Sequence, residues 1–100
     1  MLVTELYFGR GDVSDAAWQQ FAAAALAARF PDGFTVLDAA GQWRAAPGQP
    51  ISREASKLVI VAAEDNAASR AGLEAVMAEY RKTFRQQSVG IILDRKCAAF

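Results

Sequence analysis

Two helical segments alternate with four strand-like segments along this chain of 100 residues, and that order limits the folds open to it. Bulky apolar residues recur three or four positions apart in two segments, which is the period of one helix face. Four other segments are rich in β-branched and aromatic residues, which favour strands. The sequence therefore predicts strands over residues 2–9, 34–38, 53–63 and 88–94, and helices over 15–29 and 67–85.

Capping and turn residues support these boundaries. Ser14 is a favourable N-cap for the first helix, and Pro31 ends that helix because the residue before a proline avoids the helical conformation. Gly41 predicts a bulge or turn in the second strand, which resumes over residues 42–44. The Gly- and Pro-containing residues 45–50 are expected to form a loop.

The order β-α-β-β-α-β predicts an α+β fold in a single domain spanning residues 1–100. Two right-handed β-α-β crossovers joined by a hairpin give a ferredoxin-like sandwich. Its antiparallel sheet has the strand order 4-1-3-2, and both helices lie on one face.

The uncovered face of this sheet is expected to be apolar. Strand alternation predicts that it carries Val3, Tyr7, Leu37, Val59, Val61 and Ile92. Such a patch is too apolar for a monomer, so we expect a homo-oligomer, with a dimer favoured, as in dimeric α+β barrels. The alternative is that the C-terminal tail or the loop 45–50 covers the face.

Composition excludes several classes of function. The chain has no histidine and one cysteine, Cys97, which excludes Ser-His-Asp triads, histidine-ligated metals and cysteine-cluster zinc sites. We expect no metal and no cofactor. Eleven Lys and Arg residues balance eleven Asp and Glu residues, which argues against nucleic-acid binding. No apolar run reaches the roughly 18 residues of a membrane span, so no membrane partner is expected.

The N-terminal segment carries no signal-peptide pattern. Residues 1–5 have neither a basic region nor the start of an apolar core. One free thiol without a disulfide framework suits a reducing compartment, so we expect the cytoplasm. An exported chain whose leader has been removed has the same composition, and that alternative stays open.

The predicted topology gathers polar residues at one rim of the sheet, beside the start of the first helix. Guanidinium groups pair with carboxylates and phosphates, and free helix N–H groups add donors. A small anionic or aromatic ligand is therefore expected to bind Arg10, Trp43, Arg44, Arg53 and Ser88. The alternative is that Asp12, Asp15 and Glu54 simply pair with these arginines.

A second group of residues has acid–base chemistry. Tyr7 and Lys57 are predicted on the open face, and Glu54 near the rim. Partial burial inside a dimer would shift their pKa values toward catalytic usefulness, so these three are the candidate catalytic residues. The simpler interpretation, which we prefer, is a structural Lys–Glu or Lys–Tyr pair.

Several segments together resemble the DUF3574 family, small bacterial proteins of unknown function. They are residues 5–9 (ELYFG), 13–15 (VSD) with Trp18 and Phe21, 29–36 (RFPDGFTV), 41–44 (GQWR), Glu54 with 56–57 (SK), and Tyr80 through Phe84 to 87–89 (QSV). The resemblance implies a ferredoxin-like domain without an established activity or assigned catalytic residues. It also implies that many members are exported or lipid-anchored through an N-terminal leader.

Three functions remain open from the sequence. The first is an oligomeric ligand-binding or interaction module, with a ligand at the rim or inside a dimer barrel. The second is a small cofactor-independent enzyme, similar to monooxygenases or isomerases built on the same scaffold. The third is purely structural self-association. We favour the module because the sequence supplies no recognisable nucleophile, metal set or general base.

Overall fold

The computed structural model describes all residues 1–100 and has the predicted order of elements. The first helix, α1, is built from three consecutive segments, of which the middle one is π-helical. The elements are β1 (Leu2–Gly9), α1 (Asp15–Phe21, Ala22–Leu26 and Ala27–Arg29), β2 (Thr35–Trp43), β3 (Ser52–Ala63), α2 (Ala67–Phe84) and β4 (Gly90–Arg95). Neither helix combines the length and the hydropathy that crossing a membrane requires.

The four strands form one antiparallel sheet in the order β2-β3-β1-β4. This is the predicted order 4-1-3-2 counted from the other edge. In the central pair, Leu6 lies opposite Val59, and on the other side of β1 it lies opposite Ile91. The sheet order and the antiparallel pairing predicted from the sequence are therefore confirmed.

Both helices begin at side-chain caps. The Ser14 hydroxyl oxygen accepts a hydrogen bond from the backbone N–H of Ala17 at 3.1 Å, as predicted. The Asn66 side chain accepts one from the backbone N–H of Ser69 at 2.8 Å. After α2, Arg85 adopts the left-handed conformation with φ of 54°. The chain then turns toward β4.

The core lies between the helices and one face of the sheet. Alternate residues of β1 and β3 meet the apolar stripes of both helices, because a strand presents every second residue to the same side. The buried members of the core include Leu2, Leu6, Phe8, Trp18, Phe21, Leu26, Phe30, Val59, Val61, Leu73, Val76 and Tyr80. The helical stripe predicted for α2 therefore faces the core.

Five aromatic rings form the part of the core nearest the rim: Phe8, Trp18, Phe21, Tyr80 and Phe84, here called the aromatic cluster. Tyr80 contacts all four others, with its ring centroid 4.7 Å from Phe8 and 4.8 Å from Phe84. Its hydroxyl donates a hydrogen bond to the carbonyl oxygen of Gly9 at 2.7 Å. Tilted and edge-to-face aromatic pairs contribute about 0.5–1.5 kcal/mol each beyond their buried area.

The predicted faces of β3 are wrong. Val59 and Val61 were expected on the open face, but they are fully buried beneath the helices, and Leu58 and Ile60 occupy the open face instead. Lys57 is also on the helix-facing side. Apolar residues lie on both sides of β3, so the sequence does not show which set is inward, and pairing of Leu6 with Val59 decides it.

The open face is nevertheless apolar. It carries Val3, Tyr7, Leu37, Leu58, Ile60 and Ile92. Leu37 is 45% exposed and Ile92 is 53% exposed, so neither the C-terminal tail nor the loop 45–50 covers this face. The predicted apolar open face is therefore present, but Leu58 and Ile60 occupy it in place of Val59 and Val61.

No bulge interrupts β2 at Gly41. This glycine pairs with Glu54 inside a continuous ladder that runs from Thr35 to Trp43. The predicted break is therefore wrong. The long hairpin with β3 satisfies the backbone along the whole strand, which outweighs the weak strand preference of a glycine.

Tyr80 should make stability fall at alkaline pH. Burial raises the pKa of Tyr80 from its ordinary value near 10 to about 12. The unfolded chain releases this proton above pH 10 while the folded chain keeps it. The free energy of unfolding therefore falls between pH 10 and 12, by up to about 1.4 kcal/mol per pH unit.

Urea unfolding from pH 7 to 11.5 measures this effect. Tyr80→Phe should remove most of the alkaline slope and cost about 1 kcal/mol at pH 7 through loss of the hydrogen bond to Gly9. Tyr7→Phe is the matched control and should keep most of the slope, because Tyr7 is exposed. Equal slopes in Tyr80→Phe and the parent would contradict this assignment.

Candidate functional site

A cleft of about 670 Å³ lies at the rim where β1 and β2 end and β3 begins, here called the rim cleft. The β1 end contributes Tyr7 and Gly9. The hairpin contributes Trp43, Arg53 and Glu54, and the connection from α2 to β4 contributes residues 85–88. Its volume is in the range of small-molecule sites. The strand ends predicted to meet at one rim therefore form a cleft there.

Three of the five residues predicted to bind a ligand line this cleft, namely Trp43, Arg53 and Ser88. Arg10 does not. Its guanidinium donates hydrogen bonds to Asp15 Oδ1 at 2.7 Å and to the Val13 carbonyl oxygen at 3.0 Å. Arg10 therefore follows the alternative stated above, in which Asp15 pairs with a rim arginine. Arg44 follows the end of β2, is exposed and does not line the cleft.

The structure separates the three candidate acid–base residues. Tyr7 and Glu54 line the rim cleft, whereas Lys57 lies on the opposite side of the sheet, so the predicted shared face of Tyr7 and Lys57 is wrong. The Tyr7 hydroxyl donates to Glu5 Oε2 at 2.7 Å, which raises the pKa of Tyr7. Lys57 pairs with Asp38, not with glutamate or tyrosine.

The Glu54 carboxylate packs directly over Gly9. A Cβ atom added to Gly9 would lie 2.5 Å from Glu54 Oε1, so this approach requires a glycine. Glu54 is half-buried, and no hydrogen bond or ion pair engages its carboxylate. Its negative charge also contributes to the raised pKa of Tyr80. The cleft therefore contains a carboxylate free to interact with a ligand.

Two guanidinium groups also line the cleft without a carboxylate partner. Arg53 donates only to the Gln42 side-chain oxygen, at 2.9 Å. Arg85 occupies the left-handed position that ends α2. Sequence reasoning missed Arg85 and Gln86 as lining residues because it assigned Arg85 to the helix. Their position in the connection from α2 to β4, which the predicted topology brings to the rim, could have identified them.

Together these groups suit a small polar ligand with a planar ring. Trp43 is 53% exposed and offers an aromatic surface, which is unusual for so large an apolar side chain. Glu54 accepts hydrogen bonds or attracts a cation, and Arg53 and Arg85 bind anionic groups. No group of three or more His, Cys, Asp or Glu side chains is arranged to hold a metal ion.

A family model described as a protein of unknown function, DUF3574, matches residues 3–100. The chain belongs to the DUF3574 family. The resemblance carried by its sequence segments is thereby confirmed. A comparison with curated protein sequences finds no match.

A solved structure of a phage SAM lyase in complex with S-methyl-5'-thioadenosine is similar in fold to this DUF3574 chain. The TM-score is 0.71 at 15% sequence identity, and the match covers 93% of this chain and 79% of the lyase chain. At this low identity the likeness shows a shared fold and nothing about activity.

The contact between Glu54 and Gly9 is testable by a double-mutant cycle. Gly9→Ala should force the Glu54 carboxylate aside, because the new Cβ atom would clash with Oε1. We expect Gly9→Ala to cost about 0.5–1 kcal/mol more in the parent than in a Glu54→Ala background. Urea unfolding of the four proteins measures this coupling.

Gly41→Ala is the matched control for this cycle. A Cβ atom there would make only an ordinary 3.7 Å contact with the Glu54 backbone oxygen. Its cost should therefore be the same with and without the Glu54 side chain. If Gly9→Ala also shows no coupling, the packing of Glu54 over Gly9 is refuted.

Proposed function

We propose that this protein is a small-molecule-binding module built on a ferredoxin-like domain, with its ligand in the rim cleft. The observation that carries the proposal is one cleft containing an exposed tryptophan, Trp43, and an unpaired carboxylate, Glu54. An aromatic surface binds a planar ring, and a carboxylate selects hydroxyl, amino or cationic groups beside that ring.

A nucleoside-like ligand fits this combination best. Its base would stack on Trp43, and its sugar hydroxyls would donate hydrogen bonds to Glu54. Ser52, Ser56 and Ser88 supply further donors and acceptors around the cleft. The structure of similar fold contains S-methyl-5'-thioadenosine, a ligand of this class, which supports the choice. Arg53 and Arg85 would accommodate an anionic substituent on the ligand.

The second candidate is an enzyme acting on SAM. It is compatible with Glu54, because an unpaired carboxylate in a cleft would bind and orient SAM through its sulfonium cation. The protein of similar fold is a SAM lyase, which adds support from fold alone. Binding and turnover therefore need to be measured on the same samples.

Isothermal titration calorimetry with S-methyl-5'-thioadenosine tests the rim cleft. We expect saturable binding by the parent and roughly tenfold weaker binding by Trp43→Ala, because stacking on an aromatic ring contributes about 1–3 kcal/mol per base. Phe100→Ala is the control, since Phe100 is a fully exposed aromatic residue outside the cleft. Equal affinity in Trp43→Ala and the parent would refute the site.

The same samples, incubated with SAM, separate the two candidates. Conversion of SAM into S-methyl-5'-thioadenosine and the lactone of its amino acid part, in which the substrate's own carboxylate oxygen bonds to the carbon that leaves sulfur, by the parent and not by Glu54→Gln would assign an enzyme. Saturable binding without product release would assign the binding module. Chromatography of the reaction mixture provides the measurement.

We further propose that a second copy of the chain covers the open face. Six apolar side chains form the centre of this face, and its three charged residues are Glu5, Glu54 and Asp94. An apolar centre with few charges is typical of homodimer interfaces. The loss of exposed apolar area would offset the cost of association. A dimer is also compatible with a purely structural role, which binding data would distinguish.

Neighbouring residues of β4 provide a matched test of this interface. Ile92 points to the open face, and Leu93 to the helix-facing side of the same edge strand. Their exposures are similar, at 53% and 44%. We expect Ile92→Lys to convert a dimer into a monomer in native mass spectrometry, and Leu93→Lys to leave the dimer intact. A monomeric parent would contradict the proposal.

A further inference from the structure

A second cavity, of about 470 Å³, lies on the helix-facing side of the sheet between α1 and β2. We call it the α1–β2 trough. Its apolar walls are Ala22, Ala23 and Ala27 of α1, with Phe34 just before β2 and Val36 within it. The rim cleft shares no lining residue with it. The trough is thus a separate site.

The trough exists because the side of α1 next to β2 carries short side chains. Val36 is on the helix-facing side of β2, yet it is 37% exposed, since alanine methyl groups do not reach it. In a regular α-helix, Ala27 would point about 180° away from Trp18. The π-helical turn Ala22–Leu26 reduces the rotation per residue, so both residues line the trough. Such turns are frequent at functional sites.

One end of the trough is charged. Lys57 is buried, with 8% of its surface exposed, and its ammonium nitrogen lies 2.5 Å from Asp38 Oδ1 and 5.9 Å from the centroid of the Trp18 ring. An ammonium group has three N–H donors, and Asp38 accepts the only hydrogen bond that the ammonium group of Lys57 makes. Two donors of a buried cation are therefore available to a ligand.

The two partners of this ion pair differ in solvent exposure. The Asp38 side chain is 79% exposed and its only hydrogen bond is with Lys57, whereas the Lys57 side chain is only 10% exposed. The hydrogen bond from Lys57 lowers the pKa of Asp38, so Asp38 is an anion at neutral pH. An incoming anion would displace Asp38 into water and keep the buried ammonium compensated.

We propose that the α1–β2 trough binds a medium-chain carboxylic acid. Its carboxylate accepts hydrogen bonds from Lys57, and its alkyl chain lies between the alanines of α1 and the start of β2. Trp18 to Ala27 along α1 spans about 13 Å, and so does the extended segment from Phe34 to Asp38, which enters β2 at Thr35. An extended chain of about eight to ten carbon atoms matches this length.

The charge arrangement selects an acid over an amine or an alcohol. The fixed group at the end of the trough is the cation, and the anion beside it is turned to solvent. Lys57 would repel a ligand amine inside the trough, and the carboxylate that could bind the amine, Asp38, faces solvent. An alcohol would gain the same apolar contacts without a charge-assisted hydrogen bond, which is roughly twice as strong as a neutral one.

Calorimetric titration of the full chain with sodium octanoate at pH 7 tests the proposal. We expect the parent to bind octanoate at least tenfold more tightly than 1-octanol. Lys57→Met should weaken octanoate binding at least tenfold, because it removes the cation and keeps the apolar stem. Lys82→Met, on the exposed side of α2, is the matched control and should bind like the parent.

Asp38→Asn gives an opposite and independent result. Removing the competing carboxylate should tighten octanoate binding severalfold, and this variant keeps Lys57 and its buried environment. Unchanged or weaker binding by Asp38→Asn would overturn the proposal even if Lys57→Met failed to fold. Equal binding of octanoate and 1-octanol would also overturn it.

Tryptophan emission locates the ligand. In a Trp43→Phe background, Trp18 is the only tryptophan, and octanoate should change its emission with the affinity found by calorimetry. S-methyl-5'-thioadenosine should not displace octanoate, since the trough and the rim cleft are separate. Displacement would place octanoate in the rim cleft and overturn the proposal, whereas failure of the nucleoside to bind would affect only the rim cleft.

Discussion

The hydrogen bond from Tyr80 to the carbonyl oxygen of Gly9 connects the core of this protein to its rim. The Tyr80 ring lies among the four other members of the aromatic cluster, so its position is set by packing from both helices and β1. Gly9 is the last residue of β1, and the Glu54 carboxylate packs over its α-carbon. Gly9 therefore contacts the aromatic cluster through its carbonyl oxygen and the rim cleft through its α-carbon.

The sheet separates three surfaces that carry different chemistry. The helix-facing side holds the core and the α1–β2 trough, where the fixed charge is the Lys57 cation. The rim holds an unpaired carboxylate, Glu54, beside two arginines. The open face is apolar. The trough and the rim cleft share no lining residue, so the effects of mutations in these two are expected to add, whereas Tyr7 belongs to both the rim cleft and the open face.

The order of elements and the order of strands were predictable because they depend on local signals. Helical and strand periods identify six segments, and the handedness of the crossovers then leaves few arrangements. The faces of β3 were not predictable by the same means, because Leu58 and Val59 are both apolar. The π-helical turn was not predictable either, since a run of alanines carries no signal for the extra residue.

The candidate site was only partly predictable, because the sequence does not show which arginines pair with a carboxylate and which are left to bind a ligand. Arg10 has Asp15 five residues away and pairs with it, while Arg53 finds no carboxylate. The pairing of Lys57 with Asp38 did have a signal. A hairpin centred on the loop 45–50 places residues 38 and 57 opposite each other, as the observed register shows. The register identifies Asp38 as the partner of Lys57, but it does not show which face of the sheet the pair occupies.

The α1–β2 trough exists because α1 carries alanines on the side next to β2, and not because of the arrangement of helices and strands. Two helices packed 8–10 Å apart are about as wide as four strands spaced about 4.8 Å apart, so the layer of helices has the width to cover the sheet. The alanines of α1 leave β2 uncovered because each lacks the methylene groups that would fill the space above Val36. Each larger side chain there would bury apolar surface worth about 1.5–3 kcal/mol. The same missing volume is what an alkyl chain would occupy, and the buried Lys57 gives that space one charged end.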